Sequence, residues 1–353
     1  MITIGVDAHK RVHVALAIDD AGRELADWHG PNSATGWQDL ARWATALGEQ
    51  QQWGIEGAWS YGRGLAQHLV HAGATVYEIN SRWTALRRRG GRRPGKTDRL
   101  DARAVAAFLR QEASTLRPVS ADDDTAVLEL LATEREGALA ETIRLRNQIH
   151  ALLMQIDPEC RGHLPNLKSR AGLDALESYV GPATCPLQNE RAAAVRRLAA
   201  RLRLALSQAE ALAERLRNLA RKRFSPLTRL CGVNLLTAGT LAGILGPGRR
   251  FSTDAELAAY AGVAPLEASS SGVVRHRLNR GGNRRLNSVL YQIALTQAHH
   301  SAQARAYLDR RVREGKSRRE AMRALKRFIV RAIWRLWQEC EPSQMMVSVE
   351  IAA

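Results

Sequence analysis

A chain of 353 residues with 52 Lys and Arg against 35 Asp and Glu carries a formal charge of +17. That length holds two or three domains with a proper core, and that charge favours a polyanionic partner, nucleic acid first, through phosphate neutralisation and counterion release. Cys160, Cys185, Cys231 and Cys340 form no C-x-x-C pair and no apolar run nears a membrane span, which argues against a zinc knuckle, a disulfide framework and an integral membrane protein and for a soluble protein of a reducing cytoplasm.

Residues 2–6, "ITIGV", are a short β-branched strand, and "HVALAIDDAG" followed by "RELADWHG" predicts a hairpin turning near Asp20-Ala21-Gly22. A helical period over 36–48, a buried strand at 53–57, a helix at 61–72 and a strand at 75–79 follow. Strands alternating with helices after an opening meander predict a mixed sheet covered by helices. A helix runs from Thr97 to Gln111, and Pro118 with "SADDD" marks a boundary. Beyond it the pattern is helical over 125–156 and 190–222, with a Pro- and Gly-containing, loop-rich tip at 158–189 between them. Val195, Leu198, Leu202, Ala205, Ala209, Leu212, Leu216 and Leu219 step by three and four residues, a coiled-coil seam that serves either dimerisation or an antiparallel hairpin within one chain. A last helical domain spans 225–345, with a capping box of Thr253 and Glu256 in "STDAEL". "LTRLCGVNLLTAGTLAGILG" at 227–246 reads as helix, glycine turn, helix, either a phosphate-binding helix-hairpin-helix or a structural turn. The expected organisation is a catalytic α/β domain over 1–118, a coiled-coil helical segment over 119–224, a mainly α domain over 225–345 and a disordered tail over 346–353.

Asp7 follows directly on "ITIGV", and Glu56 ends "WGIE" in the same way. A carboxylate closing an apolar strand is a turn former or a metal ligand, and desolvation makes it costly unless it is paired or metal-bound. Asp98 and Asp101 stand at i and i+3 in "KTDRLDA", on one face of a helical first turn, where they suit the helix dipole whether or not they bind a metal. Immediately upstream, Arg87, Arg88, Arg89, Arg92, Arg93 and Lys96 form a polyanion-attracting patch. Phosphate beside carboxylates calls for divalent metal, and three or four carboxylates holding Mg²⁺ or Mn²⁺ suit phosphodiester cleavage. Arg275, Arg277, Arg280, Arg284 and Arg285 form a second basic cluster beside "ASSSG". Those serines contact phosphates or, if activated, supply a nucleophile.

The layout resembles the DEDD transposases of bacterial insertion sequences, the bridge-RNA-guided recombinases. The match runs over about residues 2–340 and is carried by "GVDAHK" at 5–10, "IEG" at 55–57, "KTDRLDA" at 96–102, "YAGVAP" at 260–265 and "RHRLNRGGNRRLN" at 275–287. The resemblance implies an RNase H-like (RuvC-like) α/β domain in which Asp7, Glu56, Asp98 and Asp101 bind the metal. It further implies a serine of the C-terminal domain that attacks DNA phosphate, and strand exchange between donor and target double-stranded DNA chosen by a structured bridge RNA, in a homodimer or tetramer. In the family, serine stands five residues after the proline and precedes a glycine. Here the fifth residue after Pro265 is Ser270, the next is Ser271 and glycine arrives at Gly272. Spacing from Pro265 and from Arg275 selects Ser270, and the adjoining glycine selects Ser271. A water-using, metal-dependent junction or hybrid nuclease and a non-enzymatic coiled-coil nucleic-acid-binding protein are the competing readings.

Overall fold

A computed structural model describes residues 1–81, 97–159, 165–166, 169–181, 185–247, 250–267, 276–277, 279 and 281–340. The chain divides into two compact units, Met1–Asp122 and Asp123–Ala353.

The first unit opens with the antiparallel meander β1 (Ile2–Ala8), β2 (Val12–Ile18) and β3 (Glu24–Pro31). The β2–β3 turn falls where the sequence places it, with Gly22 at φ 81°, a conformation that suits glycine. Helix α1 (Ala34–Leu47), strand β4 (Gln51–Glu56), helix α2 (Arg63–His71), strand β5 (Thr75–Ile79) and helix α3 (Asp98–Glu112) complete it. The sheet order is β3-β2-β1-β4-β5, with β4 parallel to both of its neighbours. This is the mixed, helix-covered sheet that the alternation of strands and helices predicts.

Strands β1 and β2 read as unbroken apolar runs because both faces of the sheet are buried. On one face Ile4, Val6, Ala15, Ala17, Trp53 and Ile55 pack with Leu40 and Ala44 of α1 and Leu65, Ala66 and Leu69 of α2. On the other, Val14, Leu16 and Ile18 pack with Ala102 and Ala106 of α3, and Ile79 packs with Val105 and Leu109. Each large aliphatic side chain so buried contributes about 2 kcal/mol. Gly5 sets how closely α3 approaches: a Cβ there would stand 2.2 Å from the Ala102 carbonyl oxygen and 2.3 Å from the Ala106 nitrogen. The helix backbone lies directly on the strand, and only glycine leaves room.

The second unit is mostly helical. Helix α4 (Asp124–Ile156) is capped by Asp123, whose carboxylate accepts from the Thr125 N–H, and α6 (Pro186–Arg223) begins with proline in its first turn. The heptad-like seam is filled from within the chain: Leu145, Ile149 and Leu153 of α4 meet Val195, Ala199 and Leu202 of α6. Gln188 bonds Gln155, and Arg201 pairs with Glu141, so the two helices run antiparallel. The tip expected to be loop carries a short helix, α5 (Arg170–Glu177), started by Ser169 and held by buried Leu173 and Leu176. The "SRAGLDALE" run has a cap and an apolar i, i+3 pair, a signal that the flanking Pro and Gly residues obscure.

The helix-glycine-helix expectation at 227–246 is corrected. Its first part is only a 3₁₀ segment, Ser225–Arg229, and the N-terminus of α7 (Leu235–Leu245) is closed by its own Asn234 cap. Helix α7 is buried on nearly every side because Gly239 and Gly243 let it lie against the backbones of α6 at Leu216 and α4 at Glu129. Helix α8 (Asp254–Tyr260) starts at Thr253 as expected. The reciprocal Glu256 bond lands on the Ser252 N–H, one residue before the cap. A complete capping box, Ser317 with Glu320, starts α11 (Arg318–Trp337). Between them lie the two-residue strands β6 (Leu266–Glu267) and β7 (His276–Arg277), and helices α9 (Arg284–His300) and α10 (Ala302–Arg313). The expected tail, 346–353, falls outside the described residues.

Candidate functional site

Parallel pairing of β1 with β4 puts Asp7 opposite Glu56, so the two strand-end carboxylates share one end and one face of the sheet. That is the face on which α3 lies, and the approach allowed by Gly5 brings the first turn of α3 over the same end. Thr97 caps this turn by accepting from the Leu100 N–H, and Asp98 and Asp101 are its acidic pair. Asp7 is 6% exposed and Asp101 is 5% exposed, whereas Asp98 faces solvent.

The sequence reading passed over His9. Its Nε2 lies 3.1 Å from Asp7 Oδ2 and 3.5 Å from Asp98 Oδ1, and one ligand atom from each of Asp7, His9 and Asp98 falls within 4.8 Å of the others. Position alone carried the signal, as His9 is two residues past Asp7, where the chain turns back into β2. Burial pushes the Asp7 carboxyl up to about 6, the charges of Asp101, Glu56 and Asp98 add to this, and His9 opposes it. A buried carboxylate crowded by other carboxylates lacks positive charge. Oxygen donors with one imidazole suit a divalent cation of the Mg²⁺ or Mn²⁺ class, so the residues present fit such an ion.

Glu78 on β5 is a second residue missed, although an acid inside "TVYEI" is the same kind of signal as Asp7. Its carboxylate accepts from the backbone N–H groups of Ala58 and Trp59, and burial pushes it up to about 7. It thereby ties down the turn directly after Glu56, which Gly57 enters at φ 76°.

In the second unit, the two glycine-containing motifs cross. A Cβ on Gly282 would meet the Gly262 backbone at 2.3 Å. The Asn283 N–H donates to the Tyr260 carbonyl at 2.7 Å, and Asn283 Nδ2 donates to the Tyr260 hydroxyl at 2.8 Å. This joins "YAGVAP" to "RGGN" and sets the register of β6 with β7, Leu266 against Arg277 and Glu267 against His276. Ser270, Ser271, Arg275 and Arg280 lie outside the described residues, as do Arg87, Arg88, Arg89, Arg92, Arg93 and Lys96, and of Arg277 the backbone alone is described. Arg284 is exposed. Arg285 differs from expectation: it pairs with Glu129 at 2.5 Å and Glu136 at 2.7 Å, both on α4, and so braces helices instead of facing solvent.

A transposase family model of the DEDD IS110 type matches residues 4–158, and a model of the IS116/IS110/IS902 transposase family matches residues 225–309. Both matches are to transposases of insertion sequences, one in the first half of the chain and one in the second. Among similar proteins is an uncharacterised 43.6 kDa protein of insertion element IS110 from Streptomyces coelicolor, 28% identical with 100% of this chain and 98% of that protein covered. A 42 kDa protein of IS900 from Mycobacterium paratuberculosis is 26% identical, covering 95% of each. Among solved structures, Thermus thermophilus RuvC with a Holliday junction substrate is similar at 18% identity, with 34% of this chain and 99% of that chain covered and a TM-score of 0.25. No described helix is long and apolar enough to cross a membrane.

Proposed function

We propose that this chain is an IS110-type transposase that cleaves and exchanges strands between donor and target double-stranded DNA, using a carboxylate-held divalent metal and a serine nucleophile, with a structured bridge RNA selecting both sites. The observation that carries the metal half is the convergence of Asp7, His9 and Asp98 at one end of the sheet. Glu56 is in register with Asp7 and Asp101 shares the helical turn of Asp98. Asp7, Glu56, Asp98 and Asp101 would hold Mg²⁺ or Mn²⁺, with His9 beside them as a further donor. A cation so held would supply positive charge to the phosphate under attack.

In the covalent half, Ser270, or Ser271 in its place, attacks phosphorus. The Oγ–P bond forms as the P–O bond to one side of the strand breaks, the serine proton passes to solvent, and the displaced sugar oxygen takes up a proton. Joining reverses this with a new strand end, so no external energy source is needed. Arg87, Arg88, Arg89, Arg92, Arg93 and Lys96 in the first unit, and Arg275, Arg277, Arg280 and Arg284 in the second, hold nucleic-acid phosphates. The high positive charge of the whole chain supports this reading, since two duplexes and an RNA must be bound. The domain assignment 1–118, 119–224 and 225–345 gives these parts their roles, and a homodimer or tetramer at the nucleoid in the cytoplasm is the assembly proposed.

The test is incubation with donor DNA, target DNA and co-purified RNA, followed by detection of a covalent protein–DNA adduct. Wild type and Ser271→Ala form it and Ser270→Ala does not. Metal-dependent cutting with no adduct in any variant would overturn the serine mechanism in favour of a water-using nuclease.

A further inference from the structure

The second unit contains a cleft of about 980 Å³ between α9, α10, α11 and the segment from Ala261 to Pro265. Its wall is basic beyond what the protein neutralises. Arg311 is paired with Glu314 and Arg327 with Asp254, and Glu320 is occupied in capping α11. Arg284, Lys316 and Arg319, all exposed lining residues, make no ion pair among the described residues. At the base, Lys326 is 7% exposed. Its Nζ donates to Asn287 Oδ1 at 2.7 Å, and Asn287 Nδ2 is spent on the Ala261 carbonyl at 2.8 Å. An ammonium has three protons to donate, and this one meets a neutral amide and no carboxylate among the described residues. Burial and the neighbouring Arg323 both push it toward the neutral form. A buried cation with no counter-ion of its own chain is costly, and an anion in the cleft removes that cost.

The same cleft carries aromatic rings. Tyr291 is 44% exposed and Phe328 is 51% exposed. Phe328 is steadied from one side by Tyr307, edge to face at a centroid distance of 5.1 Å, so it is held in place with part of its surface open to solvent. Cations that alternate with exposed aromatic rings match a nucleic-acid strand whose bases are unstacked. In a duplex the base faces are already covered by one another, and the rings would have nothing to receive.

We propose that this cleft binds single-stranded DNA, with backbone phosphates on Arg284, Lys316, Arg319 and Lys326 and bases stacked on Phe328 and Tyr291. The cleft includes Pro265, the residue just before β6, and so opens beside the strand that leads into the serine segment. This rests on the serine reading for the choice of DNA: the strand held is one locally melted next to the phosphate to be attacked.

Fluorescence anisotropy of the full-length protein with a short labelled DNA strand, its duplex and the same sequence as RNA tests this. Phe328→Ala weakens the single DNA strand about tenfold and leaves the duplex within about twofold, as expected for loss of one stacked base. Lys326→Gln weakens the single strand several-fold and lowers its salt slope by about 0.7, as for one lost phosphate contact. Thermal melts confirm that both variants fold, and Phe328, half exposed, can be shortened without opening the core. Single-strand affinity unchanged in Phe328→Ala, an equal loss for strand and duplex, or binding of RNA but not DNA would each overturn the proposal. The adduct assay reads the serine mechanism separately. An adduct formed by a protein whose Phe328→Ala variant binds normally sinks the cleft alone, and normal anisotropy with no adduct sinks the serine alone.

Discussion

Asp7 in the first unit and Lys326 in the second are the same device with opposite sign. Each is more than nine-tenths buried, each is driven toward its neutral form mainly by burial, and each has like charges among its neighbours. Among the described residues Asp7 has Asp101, Glu56 and Asp98, opposed by His9, and Lys326 has Arg323. A fold optimised for stability alone would replace both with apolar residues. Retaining them leaves one site short of a cation and the other short of an anion. A metal ion at the first and a DNA phosphate at the second, as proposed, would satisfy both.

The largest effect comes from removing the acidic side. Asp7→Asn keeps the shape but removes the charge, and metal-dependent DNA cleavage falls by at least about a thousandfold, read in a nicking assay with Mg²⁺ and again with Mn²⁺. Cleavage within tenfold of wild type would show that Asp7 is a strand-end turn residue. The positioning of that site is tested at Gly5. A side chain there meets the α3 backbone at 2.2 Å, where no rotamer provides an escape, so Gly5→Val destabilises by about 3 kcal/mol or more. Denaturant unfolding measures it, and a loss below about 1 kcal/mol would mean that α3 can lift off the strand.

The contrast between the two sites also marks how far sequence reasoning reached. Asp7, Glu56, Asp98 and Asp101 were legible because each ends a strand or starts a helix, positions that local pattern defines. Their convergence was less so, since it depends on parallel pairing of β1 with β4 and on Gly5, which reads locally as one small residue in a strand. His9 and Glu78 acquire meaning only from what the fold places beside them. Arg285 shows the converse: a basic run looks uniform in sequence, and helix packing turns one member toward Glu129 and Glu136 while Arg284 faces outward. Short α5 was missed because Pro and Gly dominate its surroundings. The cleft was invisible because its lining comes from separate segments: Tyr291 from α9, Lys316 from the turn between α10 and α11, and Lys326 and Phe328 from α11.

An intermediate effect follows from titration. Asp7 titrates near 6 in the folded protein, above the usual value near 3.9, so the native state binds more protons than the unfolded chain between roughly pH 4 and 6. Metal-free protein therefore loses stability as pH rises through that window. Asp7→Asn does not lose this contribution, so its melting temperature gains on wild type from pH 4 to 7. Glu78, pushed up to about 7, acts with the same sign in both proteins and cancels in the comparison. Adding Mg²⁺ above pH 6 raises the melting temperature of wild type and not of the variant, because the ion competes with the proton for the Asp7 carboxylate. A melting difference that is flat with pH would show that Asp7 is ionised throughout and that His9 alone compensates it.

The smallest effect tests the basic half in isolation. Lys326→Met keeps the volume of the side chain and removes a buried charge, which is neutral or stabilising, while leaving Asn287 Oδ1 without its donor costs about 1 kcal/mol. The two contributions nearly cancel, and unfolding should stay within about 1 kcal/mol of wild type as DNA-strand binding drops. A loss of more than about 3 kcal/mol would give Lys326 a different meaning: the hydrogen bond to Asn287, and through it the Ala261 carbonyl and the glycine crossing at Gly262 and Gly282, would be what the lysine is for, and the parallel with Asp7 would fail.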